Sequence, residues 1–419
     1  MSTTLVMSLG ELFKQTRRAT GMTQTELSER SGIQKGTVSK IENDEVKRPE
    51  FSTVQPLAAA LNISLDTLID YYVEIEKRPD SLLHILQFTI QHQSSKETVC
   101  KVASKYLESA NEDSYDLTNK LYTIINSIED STIQLTLYNL IIGYSRSHGI
   151  MPYIAKGMYQ RYLIERNDFS KLKETYHDGK YILFYSDFLS LSERIELYYK
   201  LGVHAYNIRL YSESIEHCKE ILTENIIEHK VNALGILRDA YFALEEYEES
   251  EFYALQYKQF NYPYVQDNII LMDAMFASHR GEFEKAQFML TSFLETCKSD
   301  AAILAINQLL QIHIKQNNHK MAEVLINNNE ISPISEDNPF VYQKYADHLH
   351  LRGQYYLSIG DYAKSINSLI QAALYYAKVD DTFKEKDCLN TVMRIHLDYD
   401  IPTQDTFEKL STYYKKTEE

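Results

Sequence analysis

The chain has 419 residues, 44% hydrophobic and 24% charged, which supplies packed cores and argues against disorder as the main state. Its formal charge of -16, taken whole, argues against a protein coated in nucleic acid or anionic lipid. With 13 Gly and 8 Pro it has too few turn residues for a many-stranded sandwich or barrel of this length, so an all-α chain is expected.

The four cysteines, Cys100, Cys218, Cys297 and Cys388, stand 118, 79 and 91 residues apart, a spacing that fits neither a metal site nor a redox pair. The segment Met1 to Gly10 lacks a basic n-region and an apolar stretch, and no run approaches the length of a spanning helix. A cytoplasmic protein with no membrane partner is expected.

Residues 1–70 read as a small module of five short helices. Leu9, Leu12, Phe13 and Thr16 form a helical stripe that ends at Gly21. Thr23 with Glu26 has the form of a capping box, opening a helix that closes at Gly32. A third helix runs from about Gln34 to Glu42 with Val38 and Ile41 facing inward. Ser52 with Gln55 suggests a second capping box, and Ser64 caps a fifth helix carrying Leu65, Leu68 and Ile69. Short helices with a Gly-containing turn between the second and third follow the helix-turn-helix plan.

The segments Met22 to Leu27, Gly32-Ile33, Val38 to Asn43, Lys47 to Pro49 and Leu61 to Ser64 resemble the Cro/phage-repressor class of helix-turn-helix domains. The resemblance implies that the third helix enters the major groove of an operator duplex. The DNA-facing residues would then be Gln34, Lys35, Thr37, Ser39 and Lys40. Gln24 matches a phosphate-contacting position, and Lys47 and Arg48 in the following loop would grip the backbone. Gly36 stands where the class often has a reading side chain, so direct base readout is expected to be thin. Residues 1–70 hold eight Lys/Arg against nine Asp/Glu, about -1, which leaves -15 on the remaining 349 residues. Counted only to Arg48, the module has eight basic against six acidic residues, so its DNA face is locally positive. Such a weakly charged module is expected to work as a homodimer on two half-sites.

Residues 71–80, a charged stretch ending at Lys77-Arg78-Pro79, read as a linker or linker helix. From 81 to 419 the pattern is helical and repetitive. An aromatic residue or His is followed three positions later by a small residue at Tyr211/Ser214, Tyr247/Ser250, Phe283/Ala286, His319/Ala322 and Tyr362/Ser365. Successive copies are 36, 36, 36 and 43 residues apart. Asn167 to Phe169 reads as the start of a degenerate earlier copy. An irregular bundle would explain the helices but not this register, and a right-handed, tetratricopeptide (TPR)-like α-solenoid with a concave groove explains both.

In that register the groove-facing positions are rich in amides: Asn207, Asn232, Asn268, Asn307 and Gln311, with His350 and Gln354 in the last clear copy. A side-chain amide donates and accepts together, which suits the main chain of an extended peptide. Asp239 and Glu251 are placed to meet a basic ligand side chain, and Arg209 or His229 a C-terminal carboxylate. For any single Asn a solvated or capping amide explains the residue equally well; the clustering favours a site.

A helix-turn-helix joined to such a solenoid is similar to the quorum-sensing peptide receptors of the Rap, Rgg, NprR, PlcR and AimR group. Lys101 to Ala110, Asn207 to Glu220 and Ala322 to Leu325 look most like the arbitrium receptors, AimR. The resemblance implies a short signalling peptide as ligand, contacts from Asn207 and the position of Asn307, and a family arginine at the place of His229. It also implies dimerisation through about residues 340–419, where Leu389, Val392, Met393 and Ile395 form an apolar stripe that serves equally to cap the solenoid. Gly-rich phosphate loops, nucleophile elbows and zinc-protease motifs are absent, and His348 and His350 face different sides of a helix. No catalytic residue, metal or cofactor is expected. The reading is a peptide-switched transcription regulator, and the alternative is a scaffold that docks a response-regulator-type protein with DNA binding secondary.

Overall fold

The computed structural model describes residues 7–110, 112–223, 227–297, 301–328, 339–399 and 401–418, and no strand occurs among them. The chain divides into two compact units, 1–164 with 184–189, and 165–183 with 190–419.

The first unit runs through α1 (Leu9–Ala19), α2 (Gln24–Ser31), α3 (Lys35–Glu42), α4 (Phe51–Ala60), α5 (Leu65–Ile75), α6 (Pro79–Gln91), α7 (Lys96–Leu107), α8 (Ser114–Ile125), α9 (Ser131–His148) and α10 (Met151–Glu165). The capping box at Thr23 is present: its hydroxyl accepts from Glu26 N, and the Glu26 carboxylate accepts from Thr23 N at 2.7 Å. Gly32 closes α2 in the left-handed region at φ 73°. Ser64 caps α5 through Thr67 N. Ser52 is not a cap: α4 already begins at Phe51, with Glu50 at its N-cap and no side-chain cap bond.

One apolar core runs unbroken from Leu9 to Tyr153. The stretch 71–80, expected as a linker, contributes Tyr72 and Val73 to this core. Tyr72, Val73 and Glu76 are buried, and Phe51 of α4 meets both Tyr72 and Phe88 edge-to-face, with centroids 5.3 and 5.4 Å apart. Glu76 accepts from Arg78 Nε and Nη2, from Ser81 Oγ and from two backbone amides. Burial raises its carboxyl, but those donors outweigh that and hold it at about 2. Tyr72 Oη donates to Pro49 O at 2.9 Å. The charges that suggested a linker are therefore a structural knot, and the helices at 79–165 share a core with the five-helix module.

The second unit opens with a 3₁₀ turn at Phe169–Lys171 and α11 (Leu172–Tyr181), so Asn167 to Phe169 leads into a 3₁₀ turn instead of a repeat hairpin. Ile182–Phe188, also 3₁₀, crosses the boundary between the units. Five hairpins follow in chain order. They are α12 (Leu191–Asn207) with α13 (Tyr211–Leu222), α14 (Ile227–Ala243) with α15 (Tyr247–Tyr257), α16 (Pro263–His279) with α17 (Phe283–Thr296), α18 (Ala302–Lys315) with α19 (His319–Asn328), and α20 (Pro339–Ser358) with α21 (Tyr362–Ala377). Then come α22 (Thr382–Tyr399) and α23 (Gln404–Glu418).

The repeat register holds atom by atom. Each of the five aromatic or His residues is the first residue of its second helix, and each small partner is fully buried. Two residues before each aromatic, the chain takes a positive φ: Arg209, Glu245, Gly281, Asn317 and Gly360. The next amide returns to the carbonyl five residues back in every copy, for example Leu210 N to Ala205 O at 2.8 Å, closing a Schellman turn. Where the small residue is Ser, its hydroxyl donates across the hairpin at 2.8 Å: Ser214 to Gly202 O, Ser250 to Arg238 O and Ser365 to Gly353 O. At two of these crossings only glycine fits, because a Cβ on Gly202 would lie 2.6 Å from Cys218 Sγ and one on Gly353 2.7 Å from Leu369 Cγ.

The early and late parts of this unit also meet. Lys173 N donates to Asp380 Oδ2 at 2.7 Å, Arg209 Nε to Asp381 Oδ2 at 2.8 Å, and Gln343 Nε2 to Asn207 O at 3.2 Å. The expected association stripe lies mostly inside: Val392 and Ile395 belong to the core that α21 and α22 share with Tyr413, Leu389 packs against it, and Met393 alone is well exposed.

Candidate functional site

In the five-helix module, α3 is held by a buried ion pair beneath it. Glu42 accepts from Arg17 Nε at 2.6 Å and Nη2 at 2.8 Å, and from Gln24 Nε2 at 2.8 Å. Burial opposes the charged form of Glu42, but Arg17 and Gln24 hold its carboxyl below the ordinary range. Gln24, expected at phosphate, thus has its amide committed to α3. Val38 and Ile41 face the core, leaving Gln34, Lys35, Gly36 and Lys40 exposed and Thr37 and Ser39 half-exposed. Lys47 and Arg48 are exposed in the loop that follows. Among the described residues, Lys35, Lys40, Lys47 and Arg48 make no ion pair. Tyr72, through Pro49 O, holds the end of that loop. The sequence-predicted set is therefore brought together on one helix and its following loop, with Gln24 turned to a supporting role.

The nine residues expected to face a peptide are not one cluster. Asn307, Gln311, His350 and Gln354 line a cavity of about 310 Å3 between α16, α18, α20, α21 and α22, with Met275, Leu304, Gln308, Lys344, Asp347, Leu351, Tyr376 and Lys384. Asn307 is buried and engaged twice, donating from Nδ2 to Lys344 O and pairing through Oδ1 with His348 Nδ1, both at 2.9 Å. His350 meets Gln354 Nε2 at 3.0 Å, and its imidazole is pushed down by burial and by Lys384. Asp347 would be raised by burial, yet Lys344, the Tyr376 hydroxyl at 2.7 Å and Arg209 keep it below its ordinary value.

The other five stand apart from this cavity. Asn207 is half-buried at the end of α12, and its carbonyl serves the early–late contact. His229 packs on Tyr199 at 5.0 Å between centroids, with Nδ1 buried and unpartnered. Asn232 is half-buried on α14. Asp239 is matched by its neighbour Arg238 at 2.7 Å, and Asn268 Nδ2 donates to Tyr257 Oη at 3.1 Å. Glu251 is paired with Arg280. Arg209, expected at a ligand carboxylate, is spent on Asp381 and on Asp347 at 3.9 Å, and this pairing raises its guanidinium against the cost of burial. Gln308, Lys344, Asp347, Tyr376 and Lys384 were not expected at the site. A lone Asp between apolar positions of α20 was the available sign for Asp347.

Residues 13–68 match the helix-turn-helix family. The N-terminal module is a helix-turn-helix domain. Over 73 residues, 17% of this chain, it is 33% identical to an uncharacterized HTH-type transcriptional regulator, RghRB, of Bacillus subtilis (strain 168), covering 52% of that protein. Over 68 residues, 16% of the chain, it is 32% identical to the HTH-type transcriptional regulator SinR of the same strain, covering 61%. The chain thus spans roughly half to three-fifths of the length of these curated relatives. Among solved structures, it is similar to a Rap protein complexed with competence and sporulation factor, at 11% identity and a TM-score of 0.38, over 93% of this chain and 98% of that one. It is also similar to PlcR of Bacillus thuringiensis in complex with the peptide PapR7 and DNA, at 13% identity and a TM-score of 0.23, over 92% and 100% of the two chains. No helix among the described residues is long and apolar enough to cross a membrane.

Proposed function

We propose that this chain is a DNA-binding transcription regulator whose helix-turn-helix domain reads an operator with α3, under the control of a short linear peptide held in the repeat unit. The observation that carries the DNA part is the exposed, unpaired set Lys35, Lys40, Lys47 and Arg48 on a helix and loop fixed from behind by Glu42 and Tyr72. Cations free of internal partners displace counterions from phosphate at little structural cost. The domain is close to neutral, so a homodimer on two half-sites is the working form. Amide-rich walls at Asn307, Gln311 and Gln354, with apolar Met275, Leu304 and Leu351, suit a peptide backbone with small side chains. Communication of the quorum-sensing or phage lysis–lysogeny kind is the setting this reading implies.

The test is gel-shift titration on a duplex selected from a random pool. Lys35→Ala with Lys40→Ala is expected to weaken binding at least tenfold, about 1.4 kcal/mol, and to flatten its salt dependence, with melting unchanged. Unaltered DNA affinity would remove α3 as the reading element.

A further inference from the structure

Within the cavity of the repeat unit, the groups left without partners differ from those that are matched. Lys344 is balanced by Asp347 at 3.3 Å, and Asp347 is further held by Tyr376 and Arg209. Lys384, half-buried in the first turn of α22, lines the same cavity and has no ion-pair partner among the described residues. Gln308 Oε1, also on the wall, is buried with no hydrogen-bond donor. The unsatisfied charge is thus positive and the unsatisfied buried polar atom is an acceptor, an arrangement that costs stability until a ligand completes it. Beside them Met275, Leu304 and Leu351 offer an apolar wall. At about 310 Å3 the space lies at the lower end of ligand pockets and suits a chain end better than a folded surface.

We propose that Lys384 anchors a carboxylate of the ligand while Gln308 Oε1 accepts an N–H beside it, which is the pattern presented by the last residue of a peptide. This inference rests on the peptide reading above and adds which end of the peptide enters the cavity. A carboxylate can come from the chain terminus or from an Asp or Glu side chain, and the terminus is favoured because its own amide N–H lies one residue-length from the carboxylate.

The full chain is incubated with three hexapeptide pools, and the retained peptides are counted by mass spectrometry after gel filtration. The first pool has free C-termini and no Asp or Glu, the second is amidated and contains Asp and Glu, and the third is amidated without them. The expected result is retention from the first pool at least tenfold above the third, lost in Lys384→Met and kept in Lys384→Arg, with the melting of both unliganded variants unchanged. Retention from the second pool alone, also lost in Lys384→Met, would support the Lys384 anchor and assign the carboxylate to a side chain. Equal retention from all three pools, or wild-type retention by Lys384→Met, would overturn the anchor and leave the peptide reading intact. Retention from none would overturn both.

Discussion

The two units bury their apolar residues in different ways. In the first, one core runs from Leu9 of α1 to Tyr153 of α10, so α3 and the helices beyond residue 79 stand on shared material. In the second, the core is a string of smaller clusters, each made by one hairpin and its neighbour, such as Leu271 to Ile312 or Ile195 to Tyr241. A shared core is expected to fail as one body, whereas a string of nearest-neighbour cores loses stability locally. The contacts of Lys173 and Arg209 with Asp380 and Asp381 add long-range ties to that string.

Acid is the strongest means of separating the units. Burial first, and in each case a nearby cation, brings His204, His217 and His348 in the second unit down to about 4. A lowered imidazole means that the unfolded chain takes up protons first, so stability is lost as pH falls from about 6.5 towards 4. Glu76 in the first unit, at about 2, keeps its contribution until pH drops below about 4.5 and loses it by about 2. Calorimetry from pH 7 to 4 is therefore expected to lower the transition of the second unit well before that of the first. A first unit that melts ahead at pH 5 would contradict this assignment.

Next in size is Arg17→Met. It strands the Glu42 carboxylate, whose side chain is 1% exposed, and is expected to cost about 3 kcal/mol. Because the core is shared, hydrogen exchange should rise in α6 and α7 as well as in α1 to α3. Faster exchange limited to α1 to α3 would show that the module behaves as a separate domain after all. The smallest effect is Ser250→Ala, which removes the 2.8 Å bond to Arg238 O and is expected to cost about 1 kcal/mol in denaturant unfolding. Its exchange signature should stay within α14 and α15; a change reaching α20 would indicate stronger coupling along the array.

Much of the local structure was legible in the residues. Thr23 with Glu26, Gly32 and the inward pair Val38 and Ile41 defined the helix-turn-helix, because caps and faces depend on neighbours three or four positions away. The aromatic and small pair marked every later hairpin for the same reason. The turn residues Arg209, Glu245 and Asn317 were harder to see, since nothing in a non-glycine side chain announces a left-handed backbone. Of the residues expected to face a peptide, Asn307, Gln311, His350 and Gln354 were brought together, whereas Asp239 and Asn268 found partners on adjacent positions or helices.

By itself the sequence determined the helices, their ends and the register of the repeats, all of which follow from interactions spanning a few residues or one hairpin. Tertiary structure decided where the units divide, that Glu76 and Arg78 form a knot instead of a linker, and that Arg209 belongs to Asp381, 172 residues away. It also decided which charge in the cavity, Lys384, stays unmatched. A charge carries no mark of its partner in the chain. The pairing appears only when folding has brought two distant surfaces together and removed water from between them.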